Sequence, residues 1–149
     1  MKQFRRFNLA VIIMFILTGC NDLSVSQSDT NDVEIPIEHS YSEIIKFEIT
    51  WNTIFEAEKS NYYVYFYSLT CSHCEDLKNF IIEQAQKRQD IFFVKSSSKD
   101  QIGNDPNLSI NAGIPGEIWI LGYPSLLKIE EKKCTKNLAG TSQILNELK

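Results

Sequence analysis

The chain has few residues of the kinds that bind metals or nucleic acids. Its 149 residues include two histidines and four cysteines, and a second Cys-x-x-Cys motif is missing. A four-ligand zinc site would have to recruit Cys134 and a distant group, so we predict no metal and no other cofactor. Acidic residues outnumber basic ones by 19 to 15, which leaves no basic face for nucleic acid and excludes it as a predicted partner.

A long apolar run is also missing. The longest uninterrupted one, Leu9 to Leu17, has nine residues, whereas a helix that spans a bilayer needs roughly 20. Lys2, Arg5 and Arg6 precede it and form a positively charged region. A short apolar run after positive residues is typical of a secretory signal, so residues 1–19 are predicted to be a targeting segment and not part of the fold.

The end of this segment, Leu17-Thr18-Gly19-Cys20, resembles a bacterial lipobox. The resemblance implies that Cys20 is lipidated, becomes the first residue of the mature chain and anchors it at the extracytoplasmic face of the cell membrane. Two or more acyl chains hold a protein stably on a bilayer. The alternative is an ordinary signal peptide, or an uncleaved anchor, with a chance cysteine. Removal of residues 1–19 would leave 12 basic against 19 acidic residues.

Residues 20–40 are predicted to form a flexible tether and residues 41–149 a single domain. From Asn21 to His39 the chain has five acids and no Lys or Arg, a composition that buries little surface. The domain shows alternating helical and strand patterns. The predicted elements are a helix-compatible stretch at 41–59, strands at 62–67, 91–94, 125–130 and 134–138, and helices at 74–88 and 140–149, with a loop at 96–115. We expect Ile44, Ile45, Phe47, Trp51, Ile54 and Phe55 to form the apolar side of the first stretch.

Cys71-Ser72-His73-Cys74 is the most informative motif. It lies between the aromatic strand and a helical run, so both thiols are predicted on one face of the first helical turn. Unpaired backbone N–H groups and the helix dipole favour an anion there, and the thiolate is the reactive form of cysteine. The pattern predicts a redox-active pair. A permanent disulfide and half of a metal site are the alternatives.

The segment from Trp51 to Lys149 resembles the thioredoxin superfamily. The resemblance is carried in order by the hydrophobic strand, the Cys-x-x-Cys at a helix start, the run Gly122-Tyr123-Pro124-Ser125, and the final hairpin with Gly140 and a helix. It implies a thioredoxin-like three-layer α/β/α sandwich with a mixed central sheet. It also implies that the Tyr123–Pro124 bond is cis and faces Cys71; the alternative is a trans proline at a strand start.

The same resemblance assigns the roles. Cys71 is implied to be the nucleophile and Cys74 the resolving thiol, with Pro124 beside them and with Ser72 and Tyr123 in contact with the substrate. His73 stands where thioredoxins have proline and resembles the disulfide-oxidase group. An imidazolium beside Cys71 would stabilise the reduced state and make the disulfide a better oxidant; the alternative is a solvated histidine of little effect.

Three further positions carry weaker predictions. Tyr65 falls where thioredoxins have a buried acid, which puts efficient reduction in doubt. Cys134 is interpreted as a half-buried apolar residue, or alternatively as a site of intermolecular linkage. The run 118–121 is interpreted as core, and alternatively Ile114-Pro115-Gly116 and Trp119 form a lip that faces the substrate.

We therefore predict a membrane-anchored thiol–disulfide oxidoreductase that oxidises or isomerises exported proteins or peptides through their thiols, with a possible redox partner in the membrane. The alternatives are a reductase of the same fold and a non-catalytic binding lipoprotein that serves immunity or assembly. A metallochaperone is a weaker third alternative.

Overall fold

The computed structural model describes residues 37–149. The predicted signal segment, the lipidation residue Cys20 and the tether as far as residue 36 lie outside the described residues. In this described part of the chain there are two α-helices and four strands: β1 (Asn61–Tyr67), α1 (Ser72–Arg88), β2 (Ile91–Lys95), β3 (Ser125–Glu130), β4 (Lys133–Ala139) and α2 (Thr141–Leu148). Among residues 37–149 no helix combines the length and the apolar character needed to cross a membrane.

The four strands form one mixed sheet in the order β2-β1-β3-β4. β1 and β2 are parallel and are joined through α1, whereas β3 runs antiparallel to both β1 and β4. Glu131 and Lys132 form the two-residue turn between β3 and β4, both with positive φ, as expected of a hairpin turn that matches the twist of its strands. The predicted mixed sheet is confirmed.

β1 is buried on both faces, as predicted, and divides two apolar clusters. Its odd-numbered tyrosines pack with α1, α2 and Phe93 in what we call the helix-side core. The even-numbered side chains Tyr62, Val64 and Phe66 pack on the opposite face in the loop-side core. Alternate residues of a strand point to opposite faces, so this strand supplies side chains to both cores.

The two outer layers differ in kind. α1 and α2 both pack in the helix-side core. In the described chain the loop-side core is covered by irregular segments and short 3-10 turns, among them Trp51–Thr53 and Pro115–Glu117. The predicted three-layer order is present, but within residues 37–149 the second outer layer has no α-helix. Its turns at Pro106–Ser109 and Pro115–Glu117 each begin with proline, which is tolerated at a helix start, and end within four residues.

The helix-compatible stretch 41–59 forms two 3-10 turns instead of one helix, at Tyr41–Phe47 and Trp51–Thr53. Between them Glu48 makes a parallel bridge with Phe93, and the Ile49 N–H donates to the Phe93 carbonyl. Pairing with the edge of the sheet interrupts the helix. The expected apolar side is buried except at Ile45, which is 65% exposed. The prediction was therefore wrong for Ile45 alone.

Two residues of the predicted tether contact the domain. The backbone N–H of His39 donates to the Asn79 side chain at 2.9 Å, and its ring contacts Glu43 at the same distance. Ser40 caps the first 3-10 turn in a capping box with Glu43. These contacts attach the start of the domain to α1.

Candidate functional site

Cys71 occupies the N-cap of α1. It has extended backbone geometry, and its sulfur accepts a hydrogen bond of 3.2 Å from the Cys74 N–H. Sulfur here does what Ser or Asp oxygen does at most helix starts. The side chain is half-buried. The helix begins two residues earlier than predicted, and the first thiol therefore lies at the N-terminus of the helix, in contact with one of its backbone N–H groups.

Cys74 lies one turn further on and is fully buried in the helix-side core. Burial raises the pKa of its thiol, and the neighbouring Cys71 sulfur adds to that rise. The Ser68 backbone and the nearby Tyr65 hydroxyl act in the opposite direction and lower this pKa, against the larger effect of burial. The two thiols thus differ in the way a nucleophile and a resolving thiol must differ, since the first is accessible and the second is shielded and protonated.

The chain returns to this helix start at the loop before β3. The Tyr123–Pro124 peptide bond is cis, as the resemblance implied. The Cys71 thiol donates to the Tyr123 carbonyl at 3.3 Å. The Tyr123 hydroxyl in turn donates to the Asp100 carboxylate. Burial, and after it this hydrogen bond, raises the pKa of the Tyr123 phenol. Cys71, Cys74, Tyr123 and Pro124 are therefore brought together from two distant parts of the chain.

Ser72 and His73 lie on the exposed side of the same turn. The His73 side chain is 72% exposed, and its Nδ1 lies 3.7 Å from the Asp76 carboxylate. Asp76, one turn along the helix, competes with Cys71 for electrostatic interaction with any positive charge on the His73 ring. The influence of His73 on the dithiol and the substrate contacts of Ser72 remain predictions.

Aromatic side chains close the site from behind. Tyr65, in the middle of β1, is fully buried. Tyr41, from the first 3-10 turn, stacks on Tyr67 with centroids 4.1 Å apart and donates a hydrogen bond to the Cys74 carbonyl. Sequence reasoning missed Tyr41, because no local pattern marks a contact across 33 positions. It also missed Asp100, which lies in a segment interpreted only as loop.

Cys134 lies apart from the pair, on β4 in the loop-side core. It is fully buried and donates a 3.3 Å hydrogen bond to the Lys136 carbonyl. Burial raises its thiol pKa to about 12. Cys134 is therefore more deeply buried than the predicted half-burial. A fully buried thiol is poorly placed for linkage to another chain.

The run 118–121 is divided between core and surface. Ile118 and Ile120 are fully buried, as the preferred interpretation expected, whereas Trp119 is 39% and Ile114 57% exposed. Asn137 holds this run against β4, because its side-chain amide donates to the Trp119 carbonyl at 2.8 Å. The described residues contain no group of three or more His, Cys, Asp or Glu side chains arranged to hold a metal.

No family model matches the chain, and no curated protein matches it by sequence. Similar solved structures include thioredoxin f2 of Chlamydomonas reinhardtii, with 18% identity and a TM-score of 0.44 over 68% of this chain and 91% of that one. Mitochondrial thioredoxin 3 of Saccharomyces cerevisiae gives 13% identity and 0.45 over 67% and 89%. Spinach chloroplast thioredoxin f gives 15% and 0.45 over 68% and 81%.

At these levels the assignment of the fold depends on the chain's own geometry. The sheet order β2-β1-β3-β4 with one parallel and two antiparallel pairs, the dithiol at the start of α1 and the cis Tyr123–Pro124 bond facing it are all present. Residues 37–149 therefore have a thioredoxin-like α/β fold with a Cys71–Cys74 pair at its characteristic place.

Proposed function

We propose that the protein is a thiol–disulfide oxidoreductase that works through the Cys71–Cys74 pair. The observation that carries the proposal is the asymmetry of the two thiols. Cys71 is half-buried, caps α1 and contacts the Tyr123 carbonyl, whereas Cys74 is fully buried directly behind it. Such a pair supports attack by the first thiolate and release by the second.

The proposed reaction is thiol–disulfide exchange, in which each new S–S bond forms as another S–S bond breaks. In the oxidising direction a substrate thiolate attacks the Cys71 sulfur, the Cys71–Cys74 bond breaks, and Cys74 leaves as the thiolate. A second substrate thiolate then attacks the mixed disulfide, and Cys71 leaves. In the reducing direction the same steps run backwards, with Cys74 attacking Cys71 and displacing the substrate thiol.

We further propose that the enzyme acts outside the cytoplasm on exported proteins or peptides, from a lipid anchor on Cys20. The lipobox-like run before Cys20 supports this location, and an oxidising compartment is where disulfides of exported proteins form. We favour oxidation or isomerisation over reduction, on the grounds that His73 replaces proline and that Tyr65, unlike an acid, cannot take the proton from Cys74 before it attacks.

The reduction potential of the pair decides the direction. The full chain in detergent would be equilibrated with glutathione buffers, and the oxidised fraction measured by thiol labelling. A value near about −120 mV marks a disulfide donor, and a value near about −270 mV marks a reductase.

Cys71→Ser decides whether redox chemistry matters at all, with Cys134→Ser as its matched control. Loss of disulfide formation in a reduced substrate peptide with the first variant alone supports the proposal. If the cellular phenotype survives Cys71→Ser, the protein is instead a binding module on a thioredoxin-like scaffold.

A further inference from the structure

The hydroxyl of Tyr65 lacks a partner although it is completely buried. The residue has no exposed surface, and its oxygen makes no hydrogen bond of normal geometry to any residue in the range 37–149. Buried hydroxyls in native proteins are nearly always bonded, and an exception calls for an explanation. The neighbouring Tyr67 shows the normal case, because its hydroxyl donates to Glu48 at 2.6 Å.

The ring that carries this hydroxyl is fixed on both sides. It is parallel to Tyr67, with centroids 6.4 Å apart, and meets Phe93 edge to face at 5.6 Å. An aromatic ring held in this way cannot turn its hydroxyl towards a better partner, because close-packed cores leave no room for another rotamer. The unpaired donor is therefore a fixed feature of the site.

The groups around the hydroxyl are those of the dithiol. The pKa of Tyr65 is raised first by burial and then by the nearby Tyr41, Cys74 and Cys71. In the opposite sense, the nearby Tyr65 hydroxyl lowers the pKa of Cys74 against the larger effect of burial. Tyr65 and Cys74 are packed in the same helix-side core, and the Tyr41 hydroxyl contacts the Cys74 carbonyl. The hydroxyl of Tyr65 therefore lies in the immediate surroundings of the thiol that has to become a thiolate in the step that releases the substrate.

We propose that Tyr65 donates a hydrogen bond to Cys74 as its thiolate forms, and so promotes attack of Cys74 on the mixed disulfide at Cys71. This inference rests on the proposed function. In the step, the bond between Cys71 and the leaving sulfur breaks, its electron pair departs with the leaving thiolate, and the Cys71–Cys74 bond forms. The Cys74 proton is released to solvent, and Tyr65 keeps its own.

A neutral donor in this place works differently from a carboxylate. A carboxylate can take the proton from Cys74 as a base, whereas a phenol with a raised pKa can only stabilise the anion once it exists. The reaction is therefore expected to depend on pH through Cys74 itself. It also means that the donor is idle in the resting thiol form, which accounts for its lack of a partner.

The test separates the two thiol steps. The full chain carrying Cys20→Ser, reduced and held in detergent, would be mixed with one equivalent of dithiobis(nitrobenzoate). Attack by Cys71 releases a first thionitrobenzoate, and attack by Cys74 on the resulting mixed disulfide releases a second. The rate of each release would be followed by absorbance between pH 6 and pH 10 for the parent, Tyr65→Phe and Tyr63→Phe.

Tyr63→Phe is the matched control, because Tyr63 points to the same face of β1 but its hydroxyl bonds Glu147, away from the dithiol. We expect Tyr65→Phe to slow the second release about tenfold, the size of a hydrogen bond to a charged group. Because burial raises the pKa of Cys74 to about 12, the second release should still accelerate with pH up to pH 10, and it should be slower at every pH in Tyr65→Phe. The first release should keep its rate.

An unchanged second release in Tyr65→Phe would overturn the inference, and so would an equal slowing in Tyr63→Phe. If the parent gives no first release at all, the proposed function fails, and the inference fails with it. If the first release occurs normally but Tyr65→Phe has no effect on the second, only the inference fails.

Discussion

The hydroxyl of Tyr41 donates a 3.1 Å hydrogen bond to the carbonyl oxygen of Cys74. The residue belongs to the first turn of the domain, and its ring lies flat against Tyr67. Burial raises the pKa of the Tyr41 phenol, so the hydroxyl keeps its proton and remains a donor at neutral pH. The N-terminal segment thus forms one wall of the dithiol site, in addition to covering the core.

Removal of this hydroxyl should weaken the fold modestly. Tyr41→Phe keeps the stacked ring and deletes one hydrogen bond, which predicts a loss of about 0.5–1.5 kcal/mol in the free energy of unfolding. Urea denaturation of the full chain measures it. Tyr41→Leu removes the stacked ring as well and should cost more. Equal losses in the two variants would show that the hydrogen bond contributes nothing.

His73 is expected to tune the reduction potential only slightly. An exposed charge at a helix start contributes about 0.3–1 kcal/mol, and about 30 mV corresponds to 1.4 kcal/mol for a two-electron couple. His73→Ala should therefore move the potential by about 6–20 mV to more negative values. Asp76→Asn, which frees the imidazole, should move it the other way.

Equilibration with glutathione buffers measures the reduction potential of the Cys71–Cys74 pair in each variant. The expected change is small against the difference of about 150 mV between strong oxidants and thioredoxin. A large change in His73→Ala, comparable to that difference, would mean that the ring contacts Cys71 directly in solution.

Cys134 should resist alkylation at pH values where Cys71 reacts. Burial raises the Cys134 pKa to about 12, so the folded protein holds this thiol protonated at pH 8. Iodoacetamide at pH 8 followed by mass spectrometry should modify Cys71 and spare Cys134, with urea-unfolded protein as the control that modifies both. Rapid labelling of Cys134 in the folded chain would contradict its burial.

The same raised pKa gives a dependence of stability on pH. The unfolded thiol ionises near its ordinary pKa of 9, whereas the folded one stays protonated up to about 12. Its contribution is fully present below pH 9 and is lost as the pH rises towards 12. Cys134→Ala should therefore lose less stability than the parent between pH 8 and pH 11 in urea denaturation at fixed temperature.

Asn137 should be needed for the stability of the irregular outer layer. Its amide donates to the Trp119 carbonyl and to the Ser109 hydroxyl, and the residue is buried. Asn137→Ala is expected to cost about 1–3 kcal/mol, because buried groups lose partners without gaining water. Thr135→Ala, on the same strand with one long hydrogen bond of 3.4 Å, should cost clearly less. Similar losses would argue against a special role for Asn137.

The location can be tested independently of the chemistry. Cell fractionation should find the parent chain with the membranes and the Cys20→Ser chain released or unprocessed, because two acyl chains on Cys20 would supply the anchor. A Cys134→Ser chain serves as the control for loss of a cysteine elsewhere. Membrane association that survives Cys20→Ser would point to an uncleaved signal segment as the anchor.

The strands could be predicted closely from sequence and the first segment could not. β3 has the predicted bounds and β4 extends one residue beyond them at each end, because their apolar residues and the Glu131–Lys132 turn are local signals. The stretch 41–59 has a helical pattern of apolar residues, yet Glu48 pairs with the edge strand and breaks it. Tertiary pairing overrode local preference there.

The same division holds for the site. Local spacing predicted Cys71 and Cys74 on one helical turn, and the resemblance to thioredoxins implied that Pro124 faces Cys71. The contribution of Tyr41 depends on a contact across 33 positions, and the unpaired hydroxyl of Tyr65 depends on how its ring is wedged between Tyr67 and Phe93. No pattern within either segment predicts these relationships.

The cap of α1 is also the reactive sulfur, and this makes the helix start a reporter of redox state. Cys71 and Cys74 are free cysteines in this structure, so the 3.2 Å contact belongs to the reduced pair. A sulfur in a disulfide cannot become an anion and is the weaker acceptor, so the contact should loosen on oxidation. Amide hydrogen exchange at the first turn of α1 should therefore slow when the pair is reduced. A partner that binds the exposed Ser72 and His73 would meet a more rigid helix start in the reduced state than in the oxidised state. This difference would let the partner distinguish the two redox states of the enzyme.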